Sequence, residues 1–301
     1  MNKKWLLLDC NYLCHRAFHT TGDLKNDTDI VGVIYGFLRD VANLQERFMT
    51  HHVVFCFDYG KPIRSEIYPE YKSARKQRHK EESETDHVLR QEMLRQIERL
   101  RKTLLKRIGF KNILFQNGME ADDMIAMAAK ELYHNDEAVI VSADHDLYQC
   151  LARNVSMFAP AQSKTTTLQT FYKQYKIMPE QWAMVKAIAG CSSDSIQGIQ
   201  GVGEKTALKF VIGTLKETHK TCDRIMSDEG CKIIERNLQL TTLPFAPMVP
   251  WKELFVDDEI DEDGWDSVVK ELGFDSLKNK PPFRTASERN THGKKQQGFN
   301  I

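Results

Sequence analysis

Four apolar runs in the first half of this 301-residue chain stop at an acid or lead straight into one. WLLLDC ends at Asp9 and VVFCFD at Asp58. NILFQ runs into GMEADD, with Glu120, Asp122 and Asp123, and AVIVSADHD carries Asp144 and Asp146. An acid at the end of a buried strand is costly to desolvate unless something positive meets it. Repetition at successive strand ends therefore predicts that these side chains converge. Carboxylate oxygens are hard ligands, and the counter-ion that suits them is Mg²⁺ or Mn²⁺, held by few direct bonds and several waters.

The runs are short and apolar, as buried parallel strands are. Between the first two, residues 30–49 place Ile30, Val33, Ile34, Phe37, Leu38, Val41 and Leu44 at helical spacing. A second helix is predicted from about Ala121 to Leu132, between NILFQ and AVIVSA. This alternation indicates an α/β fold with a mainly parallel sheet flanked by helices, whose site lies at the carboxyl ends of the strands. Residues 61–108 interrupt it. YPEYKSARKQRHK is dense in Lys and Arg, and Leu89, Met93, Ile97, Leu100, Leu104 and Ile108 then form one stripe of an amphipathic helix with a basic outer side.

After Leu168 the pattern is helical, with a proline-initiated helix at PEQWAMVKAIAG, the hairpin GIQGVGEKTALKFV, and more helix to about Asn237. LQLTTLPFAPMV reads as a return strand and DGWDSVVKELGFDSL as a last short helix ending at Gly273. The tail 278–301 is polar and reads as disordered. Seven cysteines without a CxxC pair point to a reducing, cytoplasmic setting. No run is long enough to span a bilayer. With 42 basic and 42 acidic residues, attraction of an anionic partner must come from local clusters.

Taken singly, Asp9 and Asp58 read equally well as helix caps. The doublets weigh toward metal: Glu120 and Asp123 share one side of a starting helix, and Asp144 and Asp146 share one side of an extended segment. Two divalent ions roughly 4 Å apart suit phosphodiester hydrolysis. Gly198, Gly201 and Gly203, followed by Lys205 and Thr206, make a tight helix–hairpin–helix turn that can present backbone N–H groups to a phosphate, or a ligand-free turn. Arg64, Tyr71, Lys72, Arg75, Lys76, Arg78 and Lys80 read as a solvated basic loop or, beside the Asp58 strand, as a phosphate-binding surface with Tyr68 and Tyr71 able to stack on a base. Cys10, Cys14, His15 and His19 have zinc-like spacing, but a strand-to-helix passage would scatter them.

LLLDCNYL, FDYGKPIRSEIYPEYKSAR, GMEADDMIA with VSADHDLYQ, and GCSSDSIQGIQGVGEKTA together resemble the flap endonuclease, or 5′-nuclease, family, in the family's order over about residues 4–276. The resemblance implies a PIN-like core over residues 1–177 that includes a helical arch at about 61–108. It also implies a helix-hairpin-helix DNA-binding region and C-terminal return over 178–277. The implied activity is metal-dependent cleavage of 5′ flaps and 5′ ends, RNA primers included, by a monomer that meets branched DNA and RNA–DNA primers. By position, Asp9, Asp58, Glu120 and Asp122 would hold one Mg²⁺, directly or through water, and Asp123, Asp144, Asp146 and Asp194 would surround a second, with Mn²⁺ able to substitute. Lys72 and Arg75 would contact the scissile phosphate. The hairpin glycines would bind the DNA backbone, with K⁺ as a candidate bridging ion. A single-strand binding protein or sliding clamp is a candidate partner for the tail.

One position departs from the pattern. The family's Gly-Asp-x-x-Asp is here Gly190-Cys191-Ser192-Ser193-Asp194, and a thiol is a poor Mg²⁺ ligand. The expectation is a weaker second metal, better served by Mn²⁺. The competing classes are a non-catalytic binder of branched DNA with a degraded metal site, and a PIN-type ribonuclease, which would not need the hairpin.

Overall fold

The computed structural model describes residues 3–132, 136–245 and 255–278. Chain order begins with β1 (Lys4–Asp9), α1 (Cys10–Thr21), α2 (Gly32–Phe48) and β2 (His52–Cys56). The insertion follows as α3 (Arg64–Ile67), α4 (Ser73–Lys80), α5 (Glu84–Arg99), a π-helical turn (Leu100–Leu104) and α6 (Leu105–Ile108). Then come β3 (Ile113–Leu114), α7 (Ala121–Leu132), β4 (Glu137–Val141), β5 (Val155–Ala159) and β6 (Lys164–Thr166). Among the described residues, the later elements are helices and one tiny hairpin: α8 (Leu168–Tyr175), α9 (Trp182–Ala189), β7 (Gly190–Cys191), β8 (Ile196–Gln197), α10 (Glu204–Ile212), α11 (Lys220–Met226), α12 (Asp228–Thr241) and α13 (Glu262–Leu272).

The main sheet has the order β3-β2-β1-β4-β5-β6, parallel except for β6. Alternation along each central strand divides the core into two layers. Leu6, Leu8, Val53, Phe55, Val139 and Val141 face α1, α2, α5, α6 and α13. Trp5, Leu7, Val54, Cys56, Ala138 and Ile140 face α7 and the helices that follow it. Both faces are covered, which is why these strands are continuously apolar. The chain leaves β1 toward β2 and β3, then returns to place β4 on the other side of β1. That reversal opens a crevice beyond the carboxyl ends of β1, β2 and β4.

Remote contacts fix the helices around this sheet. No side chain caps α2 at its own N-terminus; the buried Gln96 of α5 instead accepts from Val33 N and Ile34 N at 3.0 and 3.2 Å. α13 inserts Trp265 into the first layer. The segment before it is stitched beside β3, with Asn112 bonded both ways to Val256.

Three expectations change. LQLT, at 238–241, is the last turn of α12 rather than a strand; the rest of that expected strand lies partly outside the described residues. The β5–β6 pair was not foreseen. The basic outer side of α5 is largely neutralised, since Arg90 pairs with Glu82, Arg95 with Glu92, Arg99 with Glu271 and Lys102 with Glu98. The expected disorder of 278–301 falls, past Lys278, outside the described residues. No described helix is long and apolar enough to cross a membrane.

Candidate metal and phosphate site

Asp9 caps a helix and also faces the crevice. It accepts from Tyr12 N at 2.9 Å at the start of α1, and from Ser142 Oγ at 2.8 Å. Asp58, two residues past β2, accepts from Ala121 N at 2.8 Å at the start of α7, and its own N–H donates to Asn11 Oδ1 at 3.0 Å. These bonds aim the two carboxylates across the crevice. Asp144 follows β4 and caps a short 3₁₀ turn by accepting from Asp146 N at 2.8 Å. The 144–146 segment is thus a capped turn, and not the extended stretch that its spacing suggested.

Asp122 projects from the first turn of α7 into the same space. Burial pushes its carboxyl well above the usual range, and Asp144, Asp9, Asp58 and Glu120 push it further. Asp9 is likewise raised to about 7, by burial first, with Asp58 and Asp144 adding to it against the Tyr12 and Ser142 bonds. Asp58 is raised by burial and then by Glu120. Five acids from four separate segments therefore crowd one another, which is the electrostatic signature of a cation-binding ring. Hard oxygen donors and mutual repulsion both fit a divalent cation.

Glu120 differs from the other acids in this ring. Burial opposes its charge, yet Lys72, then Arg64, bring it below the usual carboxylate range. Tyr71 Oη donates to Glu120 Oε2 at 2.6 Å, Arg64 reaches the same oxygen at 3.3 Å, and Lys72 Nζ bonds Oε1. Lys72 also lies 3.6 Å from Asp194 Oδ1. Burial works against its ammonium, but Glu120 and Asp194 hold it charged. Its placement follows from the chain just before α4: Lys72 adopts a left-handed conformation at φ 55°, its N–H bonds Asp194 O at 2.8 Å, and Ala74 N bonds Ser195 Oγ at 3.1 Å. Arg75, Lys76, Arg78 and Lys80 are exposed along α4; burial raises both Asp58 and Asp194, and Arg75 is near enough to offset a small part of that rise.

A second group adjoins this ring. Asp146 Oδ1 is 3.1 Å from Lys186 Nζ, and one donor atom each of Asp146, Cys191 and Asp194 lies within 4.8 Å of the others. Burial, then Asp144, raises the Asp146 carboxyl to about 6.

Four residues expected here are engaged otherwise. Asp123 is 0% exposed and Arg64 3%; they form a two-pronged pair at 2.7 and 2.7 Å, and Asp123 also accepts from Phe245 N at 2.8 Å. A carboxylate so satisfied inside the core has the guanidinium in place of the expected metal, and Arg64 in turn is not on the surface for DNA. Tyr71 is 3% exposed and bonded to Glu120, while Tyr68 lies buried under Arg236, so neither ring can stack on a base as placed. Cys10 and Cys14 are buried while His15 and His19 are exposed, so they do not converge. Sequence reasoning missed Asn11, Ser142 and Lys186, each adjacent in sequence or space to an acid it did find, and Arg101, which bonds the Asp58 carbonyl.

The hairpin is tightly built. A Cβ on Gly198 would meet the Ala189 backbone at 2.2 Å, and Gly201 sits at φ 74°. Asn237 Nδ2 donates to Ala187 O and Gln197 O at 2.8 and 2.9 Å, locking α12 to the turn. Gly201, Gly203 and Lys205 are exposed at the tip and Thr206 is half-buried.

Residues 4–178 match the family described as 5′-3′ exonuclease, N-terminal resolvase-like domain. A 5′-3′ exonuclease of Bacillus subtilis (strain 168) is 32% identical over 237 residues, 75% of this chain and 74% of that protein. DNA polymerase I of Bacillus caldotenax is 28% identical over 305 residues, 96% of this chain and 33% of that protein. The D15 flap endonuclease of bacteriophage T5, solved with DNA and metal ions, shares the fold at a TM-score of 0.69 and 20% identity, covering 93% of this chain and 98% of that one. The matched span takes in every acid from Asp9 to Asp146 and the lysine that reaches them, and the chain belongs to the 5′-3′ exonuclease family.

Proposed function

We propose that the chain is a structure-specific 5′-nuclease that hydrolyses phosphodiesters at 5′ ends and 5′ flaps of DNA, and of RNA in RNA–DNA primers, using divalent cations held by the acid ring. The observation that carries this reading is the entry of Lys72, at the root of an exposed basic helix, into a ring of crowded carboxylates. Asp9, Asp58 and Asp122 are the residues to hold Mg²⁺, or Mn²⁺ in its place, with Glu120 reaching it through water because its own oxygens are already bonded. Asp144, Asp146 and Asp194 are the residues for a second ion. Bound there, divalent ions lower the pKa of water and stabilise charge on phosphate oxygens.

The protein's own groups do the rest. Lys72 and Arg75 offset negative charge on the scissile phosphate, with Lys72 exchanging Glu120 for a phosphate oxygen. Ser142 Oγ and the backbone N–H groups of Tyr12 and Ala121 hold Asp9 and Asp58 in orientation. Lys76, Arg78 and Lys80 extend the positive surface along α4. Gly198, Gly201 and Gly203 with Lys205 and Thr206 give a grip on the backbone of the duplex, where K⁺ can bridge.

The test is cleavage of a 5′-flap DNA across a Mg²⁺ and Mn²⁺ series, with Asp122→Asn as the control. The reading requires cleavage by the natural sequence, and loss of cleavage with retained binding in the variant. Binding without cleavage by the natural sequence would make the chain a non-catalytic branched-DNA binder.

A further inference from the structure

Cys191 closes β7 with its side chain turned into the crevice, 6% exposed. Its Sγ lies 3.9 Å from Asp146 Oδ2 and 3.9 Å from Asp194 Oδ2, with Ser193 Oγ at 3.0 Å. Among the described residues this is the one group of His, Cys, Asp and Glu side chains whose donor atoms all approach within 4.8 Å. The two carboxylates are set in matching ways. Asp146 gives Oδ1 to Lys186 at 3.1 Å and Asp194 turns Oδ1 toward Lys72 at 3.6 Å, so each lysine leaves Oδ2 facing the sulfur. Supporting contacts of this kind fix the orientation of ligand groups around a metal.

We propose that Asp146, Cys191 and Asp194 form a mixed thiolate–carboxylate site that takes a borderline-soft divalent cation, Zn²⁺ or Co²⁺, in preference to Mg²⁺. The proposal rests on the reading of the acids as a metal centre and names which metal one of its two positions accepts. A tetrahedral ion with a metal–sulfur bond of about 2.3 Å and a metal–oxygen bond of about 2.0 Å sets sulfur and oxygen ~3.5 Å apart. The observed 3.9 Å needs a contraction of only a few tenths of an ångström. An octahedral Mg²⁺ would require ligand atoms at about 2.9 Å, and it bonds poorly to sulfur. Binding replaces the S–H bond with a metal–sulfur bond, the thiol proton passes to water, and nothing is oxidised or reduced. Water or Ser193 Oγ supplies the fourth ligand.

Co²⁺ titration of the full chain tests this directly, because a thiolate–Co²⁺ bond adds a near-ultraviolet charge-transfer band that carboxylates and water do not. The expected result is a band that saturates at one equivalent with release of one proton, is bleached by equimolar Zn²⁺, and survives a large excess of Mg²⁺. Cys191→Ser should remove the band and weaken Zn²⁺ binding by at least the roughly 10- to 100-fold that loss of a mere supporting group costs. Absence of the band in the natural sequence, its bleaching by Mg²⁺, or its persistence in Cys191→Ser would each overturn the proposal. Because the readout is binding, failure here is separate from failure of the nuclease reading, which Mg²⁺-dependent flap cleavage decides independently.

Discussion

Removing either Arg64 or Asp123 strands the other charge inside the protein, since both are buried and each satisfies the other through two 2.7 Å bonds. Breaking such a pair from one side costs about 3–5 kcal/mol, whereas replacing both partners with apolar groups can be close to neutral. Arg64→Leu and Asp123→Leu should therefore each lose about that much in chemical denaturation, and the double variant should regain a good part of it. Single losses under about 1 kcal/mol would show that the pair is not a structural strut. Lys72 makes the opposite case, a charge spent on the site. Lys72→Ala should lower flap cleavage by about 10²–10³-fold, while Mg²⁺ binding, measured calorimetrically, stays level or tightens because a competing cation has left Glu120. The sequence showed the acids but could not distribute them. Asp122 and Asp123 are neighbours, yet on a helix they point about 100° apart, and only the packing of α7 decides which one meets the strand ends. Asp9 and Asp58 showed the opposite ambiguity: capping and site were weighed as alternatives, and each acid accepts a backbone bond at a helix start while crowding the other acids of the crevice.

At the scale of elements, the π-helical turn at Leu100–Leu104 inserts an extra residue where a 3.6-residue stripe was legible. Periodicity placed Leu100, Leu104 and Ile108 correctly on the buried side, but it had no means to show that Arg101 is buried with them while Lys102 stays exposed. The result is an arginine stacked on Tyr59 and Phe115, at 4.3 and 5.0 Å, whose Nη1 donates to Asp58 O at 2.9 Å. It pins the backbone that carries a ring acid, and π-turns recur at functional sites for such reasons. Arg101→Leu should raise the Mg²⁺ concentration needed for half-maximal cleavage and lower kcat/KM about tenfold, roughly 1.4 kcal/mol, with flap binding little changed. Arg101→Lys should not restore it, because an ammonium lacks the planar fork that stacks and donates together. A defect confined to thermal stability would refute this positioning role. The misread strand at LQLT has a related cause. Its alternating side chains suit a strand, but Asn237 and Thr241 bond across to α9 at Ala187 O and Ala183 O, and tertiary contacts keep the segment helical.

For the molecule as a whole, the strand-end acids that made the parallel sheet legible also cost it stability as they ionise with no cation bound. Asp9 moves from an ordinary 3.8 to about 7 and Asp146 from 3.8 to about 6, both chiefly through burial. An acid whose folded pKa is raised holds its proton more firmly in the folded state than in the unfolded chain. Its contribution to stability is therefore complete below pH 3.8 and is lost as pH rises through 6 to 7. Metal-free protein should show this as a transition temperature that falls from mildly acidic to slightly alkaline buffer, once the His52 side chain is allowed for. Burial against Trp5 and the neighbouring His51 lower His52 to about 4, which pulls stability down as pH falls from 6.5. His52→Phe should thus steepen the acid-ring trend by removing the opposing one. A cation that binds only the folded chain adds RT ln(1 + [L]/Kd), and it binds most tightly where the ring is ionised. Millimolar Mg²⁺ should then raise the transition temperature more in alkaline than in acidic buffer, flattening or reversing the metal-free slope. Asp9→Asn supplies the decisive contrast: it should stabilise the metal-free protein in alkaline buffer and abolish most of the Mg²⁺ increment. Equal Mg²⁺ stabilisation of the natural sequence at both ends of the pH range, or an undiminished increment in Asp9→Asn, would mean that the ring does not take up the ion through these carboxylates.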